Sequence, residues 1–149
     1  MKAQHWFAAI ALVMLAAPAF AQQPAPAGRV KVVSGSAFIV RSGDTIRAEV
    51  GQSVYESDGL RTGDDGSIGV TLDDDTRLSL GPGSEVRLSE FRYAPAQSSV
   101  GLAMSFLRGI AVYVSGQIAK LAPDAVRLET PSAIVGVRGT TLAVQVVPE

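Results

Sequence analysis

Cysteine is missing from this chain of 149 residues, and its one histidine, His5, stands close to the N-terminus. Without thiols there is no disulfide and no cysteine nucleophile. A body without imidazole also lacks the usual general base and the common ligands of zinc and copper. Charge is sparse and nearly balanced, 13 Lys and Arg against 14 Asp and Glu, and the basic residues are scattered singly. A surface that tracks phosphates needs a basic stripe, so neither a nucleic acid nor an anionic membrane surface is expected as a partner. Aromatics are few as well, and Phe91, Tyr93 and Phe106 read as core or cross-strand partners rather than as a ligand-stacking face.

No apolar run is long enough to span a bilayer as a helix, which takes roughly 20 residues. The longest, Trp6 to Ala17, follows Lys2 and precedes Ala19-Phe20-Ala21. A charged start, a short apolar stretch and an A-x-A site predict a signal peptide over 1–21, cleaved after Ala21. No Cys follows to carry a lipid anchor, so the mature protein is expected to be exported and soluble, most simply in a bacterial periplasm. Residues 22–27, in the stretch "QQPAPAG", read as a linker, and 28–147 as one domain. A chain of this length buries about two thirds of its unfolded surface and folds without staples.

What is present from Gly28 onward is alternation: short apolar runs of period two, cut by Gly, Ser, Asp and Pro. In "GRVKVVSGSAFIVRSG" a two-residue Ser34-Gly35 turn would pair Val32 with Ala37 and Val30 with Ile39, a tight hairpin with all four on one face. In "SIGVTLDDDTRLSL" only an odd loop keeps Ile68, Val70, Leu78 and Leu80 on one face. A three-residue loop Asp73-Asp74-Asp75 is therefore predicted, with Asp75 in the left-handed region. Further strands are expected over 45–50, 59–61, 85–88, 101–108, 110–114, 125–129, 133–137 and 140–147, with a loop at 93–99. A single short helix is expected within 115–124, where Ile118 and Leu121 are three apart and Pro123 is a stop. The class is all-β, one domain of many short strands compatible with a sandwich, a barrel or a solenoid-like stack.

The chemistry-bearing residues form no convincing site. "TGDDG" (62–66) and "LDDDT" (72–76) lack the spaced pattern of a calcium loop and read as solvated turns, so no metal is expected. Carboxylate pairs sit on separate turns, with no sign of a shared cleft. Ser34 and Ser115 each precede a glycine but lack a nucleophile elbow and a histidine partner. No catalytic residue and no cofactor is assigned, and the binding residues are left unknown.

Pro131 holds Thr130 extended, and Ala133 to Val137 is apolar on both parities, as in a strand buried on both faces. After Gly139 the pattern becomes clean alternation, with Leu142, Val144 and Val146 sharing a face. The phase change predicts a bulge or corner at Gly136 to Gly139, with Arg138 at the bend. An Arg there needs a carboxylate if it is buried, and Asp58 is the expected partner, in a bidentate clamp.

"TPSAIVGVRGTTLAV" resembles the terminal signature of the FecR domain family. "ESDGLRTGDDGSIGVTLDDDTRLSLGPGSEVRL" (56–88) resembles that family's earlier D-x-x-x-T-G and L-x-L-x-P-x-S block, and the opening 28–43 its first hairpin. The motif residues are Asp58, Thr62, Asp75, Gly136, Arg138, Gly139 and Thr140, with Asp75 standing where the family commonly carries Gly, and all are read as structural rather than as a site. The resemblance implies an exported, non-enzymatic sensing domain of bacterial envelope signalling that acts through another envelope protein. A structural or glycan-binding envelope module is the alternative. Five residues before the apolar stretch are too few for a cytoplasmic regulatory segment, and no spanning helix is expected after cleavage, so the periplasmic module alone is implied.

Overall fold

In a computed structural model that describes residues 18–137 and 139–147, the alternating segments become twelve strands of one sheet. They are β1 (Gly28–Ser34), β2 (Ala37–Arg41), β3 (Asp44–Arg47), β4 (Ser53–Val54), β5 (Gly59–Thr62), β6 (Ser67–Leu72), β7 (Arg77–Leu80), β8 (Glu85–Ala94), β9 (Ser99–Val114), β10 (Val126–Thr130), β11 (Ala133–Val135) and β12 (Thr141–Val146). The α-helix among the described residues is α1 (Gln117–Leu121). The order is β3-β2-β5-β8-β9-β7-β6-β1-β4, with β10 and β12 also on β9 and β11 on β10. All pairings are antiparallel except β10 with β9.

The plan behind this order is a set of long passes, each bent once. Strands β7 and β8 run in succession antiparallel to the whole of β9, Leu80 opposite Ala111 and Glu85 opposite Arg108. Strands β5 and β6 lie beside β8 and β7, and β2 and β1 lie beside them in turn. Each pass changes half-sheet near one line: at Gly35-Ser36, Gly63–Gly66, Gly81–Ser84 and Gly109. The halves share one core, to which Ile39, Leu60, Leu88, Leu102 and Met104 come from one side and Val30, Ile68, Val70, Leu78 and Tyr113 from the other. Bending exposes backbone groups inside the protein, and each needs a partner.

Thr62 and Ser84, both buried, supply those partners. The Thr62 hydroxyl donates to Gly81 O (2.7 Å) and accepts from Ser84 N (2.9 Å), while Thr62 N donates to Ser84 O (2.9 Å). The Ser84 hydroxyl accepts from Ile110 N and donates to Ile110 O, each at 2.9 Å. Gly63 N reaches Ser36 O (2.9 Å) and Gly83 N reaches Gly63 O (3.0 Å), tying the outer passes to the same line. Gly109 bends β9 at φ 83°, and a Cβ there would run into the Ser84 backbone and hydroxyl. Glycine is required at that point by both conformation and space.

The Asp73–Asp75 loop has the predicted register, with Val70 opposite Leu78, Ile68 opposite Leu80, and Asp75 at φ 68°. The hairpin at Ser34-Gly35 does not form. Strand β1 pairs with β6 (Val30 with Val70) and β2 with β5 (Ile39 with Leu60), so this link carries the chain across the crease. The two-residue hairpin lies one segment later, at the same dipeptide Ser42-Gly43, where φ values of 51° and 85° suit a turn with both central residues left-handed. A bulge between Val30 and Val32 also turns Val32 outward, 59% exposed, against the expected inward face.

Two expected strands, 101–108 and 110–114, are the single long β9, and the expected 93–99 loop shrinks to a 3-10 turn, Pro95–Gln97, and Ser98, with Tyr93 and Ala94 in β8 and Ser99 in β9. The run 133–137 is not buried on both faces. It forms the short outer strand β11, with Ile134 74% exposed, because among the described residues β10 is its one neighbouring strand. Phe106 is buried and Phe91 and Tyr93 pack against the core, as read from the sequence.

The crease predicts its own weak point. Ser84→Ala strands Ile110 N at the bend, while Ile110 O keeps its bond from Gly81 N, and should lower unfolding free energy by about 1–2 kcal/mol in urea titration. A loss within experimental error would show that the bend holds without the hydroxyl.

Candidate functional site

Asp58 lies in the turn before β5 and is 1% exposed. Its carboxylate accepts from Arg41 Nε (2.9 Å) and Nη2 (2.7 Å) and from Tyr55 N (2.8 Å). Arg41 ends β2, also donates to Ser53 O (3.2 Å), and stacks its guanidinium 4.6 Å from the Tyr55 ring centroid. The bidentate clamp expected of Asp58 is therefore made with Arg41, and the expected partner Arg138 lies outside the described residues. Hydrogen bonding to Asp58 raises the Arg41 pKa above its ordinary value, so the guanidinium stays charged. A shallow groove of about 430 Å³ runs past this pair, bounded by Gln23, Pro24, Tyr55 and Glu56.

Asp74 departs from the expectation of solvated turns. Asp64, Asp65, Asp73 and Asp75 are exposed, but Asp74 is 0% exposed. One oxygen accepts from Thr76 N (3.1 Å), the other from Thr76 Oγ1 (2.8 Å) and Ile118 N (3.1 Å), and Asp74 O accepts from Gln117 N (2.6 Å). Asp74 thus holds the first turn of α1, whose own preceding residue, Gly116, has no side chain to do so. The sequence carried a signal for this: Leu72, Asp74, Thr76 and Leu78 share the parity of the buried face, and Asp-x-Thr suits a carboxylate accepting from the N–H two residues on.

Tyr113, fully buried on β9, has a hydroxyl with no hydrogen-bond partner. Burial pushes its pKa above the ordinary value; the nearby Ser115 hydroxyl and, more weakly, that of Thr76 pull the other way, and the Asp74 charge adds to the rise.

The corner after β11 crosses from one half-sheet to the other, and Ser115 fastens it: its hydroxyl donates to Gly139 O (2.9 Å) and its N–H to Thr140 O (2.8 Å). Gly139, at φ 144°, takes a conformation open to glycine, whereas Gly136 is exposed with open space around it. Beside the corner lie two adjoining grooves of about 470 and 400 Å³. Both are bordered by Pro123, Asp124 and Val137, the first also by Val126 and Gly136, the second by Ala119 and Gly139. Arg41, Asp74 and Ser84 were not singled out from the sequence, and the structure joins them to Asp58, Thr76 and Thr62. It does not bring the predicted residues into one cluster: Asp58, Thr62, Asp75 and Thr140 hold separate turns and crossings. Among the described residues no three His, Cys, Asp or Glu side chains converge as metal ligands, and no helix is long and apolar enough to cross a membrane.

Compared with known proteins, residues 58–148 match the family model described as FecR protein, more than half of the chain and beginning at Asp58 itself. No curated protein and no solved structure matches the chain.

A double-mutant cycle should find Arg41→Ala and Asp58→Ala coupled by about 1–2 kcal/mol, since the two remove one shared ion pair. Strictly additive losses would show that Asp58 acts through the Tyr55 turn alone. For Tyr113→Phe, removal of an unpaired buried hydroxyl should leave stability at pH 7 unchanged or raised by up to about 1 kcal/mol. The unfolded chain loses this phenolic proton first, so titration of Tyr113 leaves stability untouched below pH of about 10 and lowers it as pH rises from there through the higher folded value. The variant should show a flatter decline above that point in thermal melts.

Proposed function

Because the chain belongs to the FecR family, we propose that it is an exported, non-enzymatic sensing domain of bacterial envelope signalling that works by protein contact. The observation that carries this reading is the use made of the polar residues in the family's motifs. Asp58, Thr62, Asp74, Thr76 and Ser84 all hold backbone or cap turns, and each is buried among its partners. Residues engaged in this way support a scaffold, and recognition falls to the surface it displays. The grooves beside Asp124 and Val137 are the surface offered by the corner that carries the terminal motif. The N-terminal 21 residues are read as a signal peptide that delivers the domain to the periplasm.

Photo-crosslinkers at 124 and 137 in the native envelope, with controls at Lys31 and Glu90, test this reading against a glycan-binding module. A discrete protein adduct at the first two positions alone, with no heat of binding to muropeptides in calorimetry, is the expected result. Heat with muropeptides and no adduct would overturn it in favour of glycan recognition.

A further inference from the structure

The edges of the curled sheet are not alike. Strand β4 is two residues long, β3 begins and ends on a charge at Asp44 and Arg47, and β11 is three residues following Pro131. Short strands, charges and nearby proline are the usual guards against edge pairing. Strand β12 has Pro148 and Glu149 just past its end but no guard along its length. It runs six residues in unbroken register with β9, and from Thr140 to Val147 the sequence TTLAVQVV holds no charge and no proline.

The free side of β12 can be read from its ladder. Ser115 N donates to Thr140 O, so Thr140 and every second residue after it face β9. That leaves the N–H and C=O of Thr141, Ala143 and Gln145 pointing away from the sheet. Leu142, Val144 and Val146 pack against the core yet are half-buried, because among the described residues β12 has β9 as its one neighbouring strand. A further strand would satisfy the outward backbone groups and cover these side chains together.

We propose that this strand is β12 of a second copy of the chain, paired antiparallel about a two-fold axis at Val144. In that register Leu142 meets Val146, Val144 meets its own copy, and Ala143 meets Gln145, so the three apolar side chains on the core side all face one another. An axis at Ala143 would instead set Val146 against Thr140. The uncharged strand brings no like charges together across the axis, which is what self-pairing requires of an edge. The two half-sheets join into one continuous sheet, and the interface is closed rather than propagating. This assembly is independent of the sensing role and survives or fails separately from it.

Sedimentation equilibrium of the purified full chain tests the proposal at about 100 µM, where a contact of micromolar affinity is occupied. The native protein should sediment as a dimer. Ala143→Lys with Gln145→Lys, both at exposed positions, should give a monomer with unchanged circular dichroism. Ala143→Lys with Gln145→Glu should restore the dimer by placing opposite charges across the axis. A native monomer at that concentration, or a dimer indifferent to the double lysine variant, overturns the proposal; failure of the opposite-charge variant overturns the two-fold register. Should the lysine variant misfold, amide exchange of the native protein decides. Slowing at Thr141, Ala143 and Gln145 with rising protein concentration is expected, and its absence sinks the pairing.

Discussion

Everything in this fold depends on one buried exchange of hydrogen bonds, between the Thr62 hydroxyl, Ser84 and the backbone of Ile110. A sheet that bends sharply gives up ladder bonds along the line of the bend, and unpaired backbone groups there cost more than the bonds elsewhere return. Two small hydroxyl side chains replace the lost bonds on three neighbouring passes. With the line fixed, the apolar faces of the two half-sheets meet, and the core follows from ordinary burial of Val, Leu and Ile.

The other polar anchors serve the periphery of the same plan. Asp58 joins the end of β2 to the turn before β5 through Arg41, and Asp74 holds the start of α1 across the loop from β6 to β7. In both cases a buried carboxylate is acceptable because its hydrogen-bonding capacity is used: Arg41 and a backbone N–H on Asp58, two backbone N–H groups and a hydroxyl on Asp74. Residues engaged in this way specify the geometry of the scaffold.

The edges finish the account. Curling brings β3 and β4 to one end of the sheet and β11 and β12 to the other, and the sequence protects these ends unequally. The grooves at the corner and the bare side of β12 are neighbours, since Gly139 borders one and β12 begins two residues later.

The sequence alone determined the strand class, the odd Asp73–Asp75 loop, the left-handed Asp75, the short helix and the corner before the last strand. Each of these is settled within about a dozen residues, by side-chain parity and turn chemistry. Tertiary structure decided what Ser34-Gly35 does: the same dipeptide makes a hairpin at 42–43 and a crossing at 34–35, because the strands waiting beside β1 and β2 are β6 and β5. It also decided that Asp58 pairs with Arg41, that Ser84 and Asp74 are buried anchors, and that 133–137 lies at an edge rather than in the core. A run of apolar residues records what a strand tolerates, whereas its burial depends on neighbours distant in sequence. A carboxylate's partner likewise depends on which turns the passes bring together, and local pattern carries no information about that.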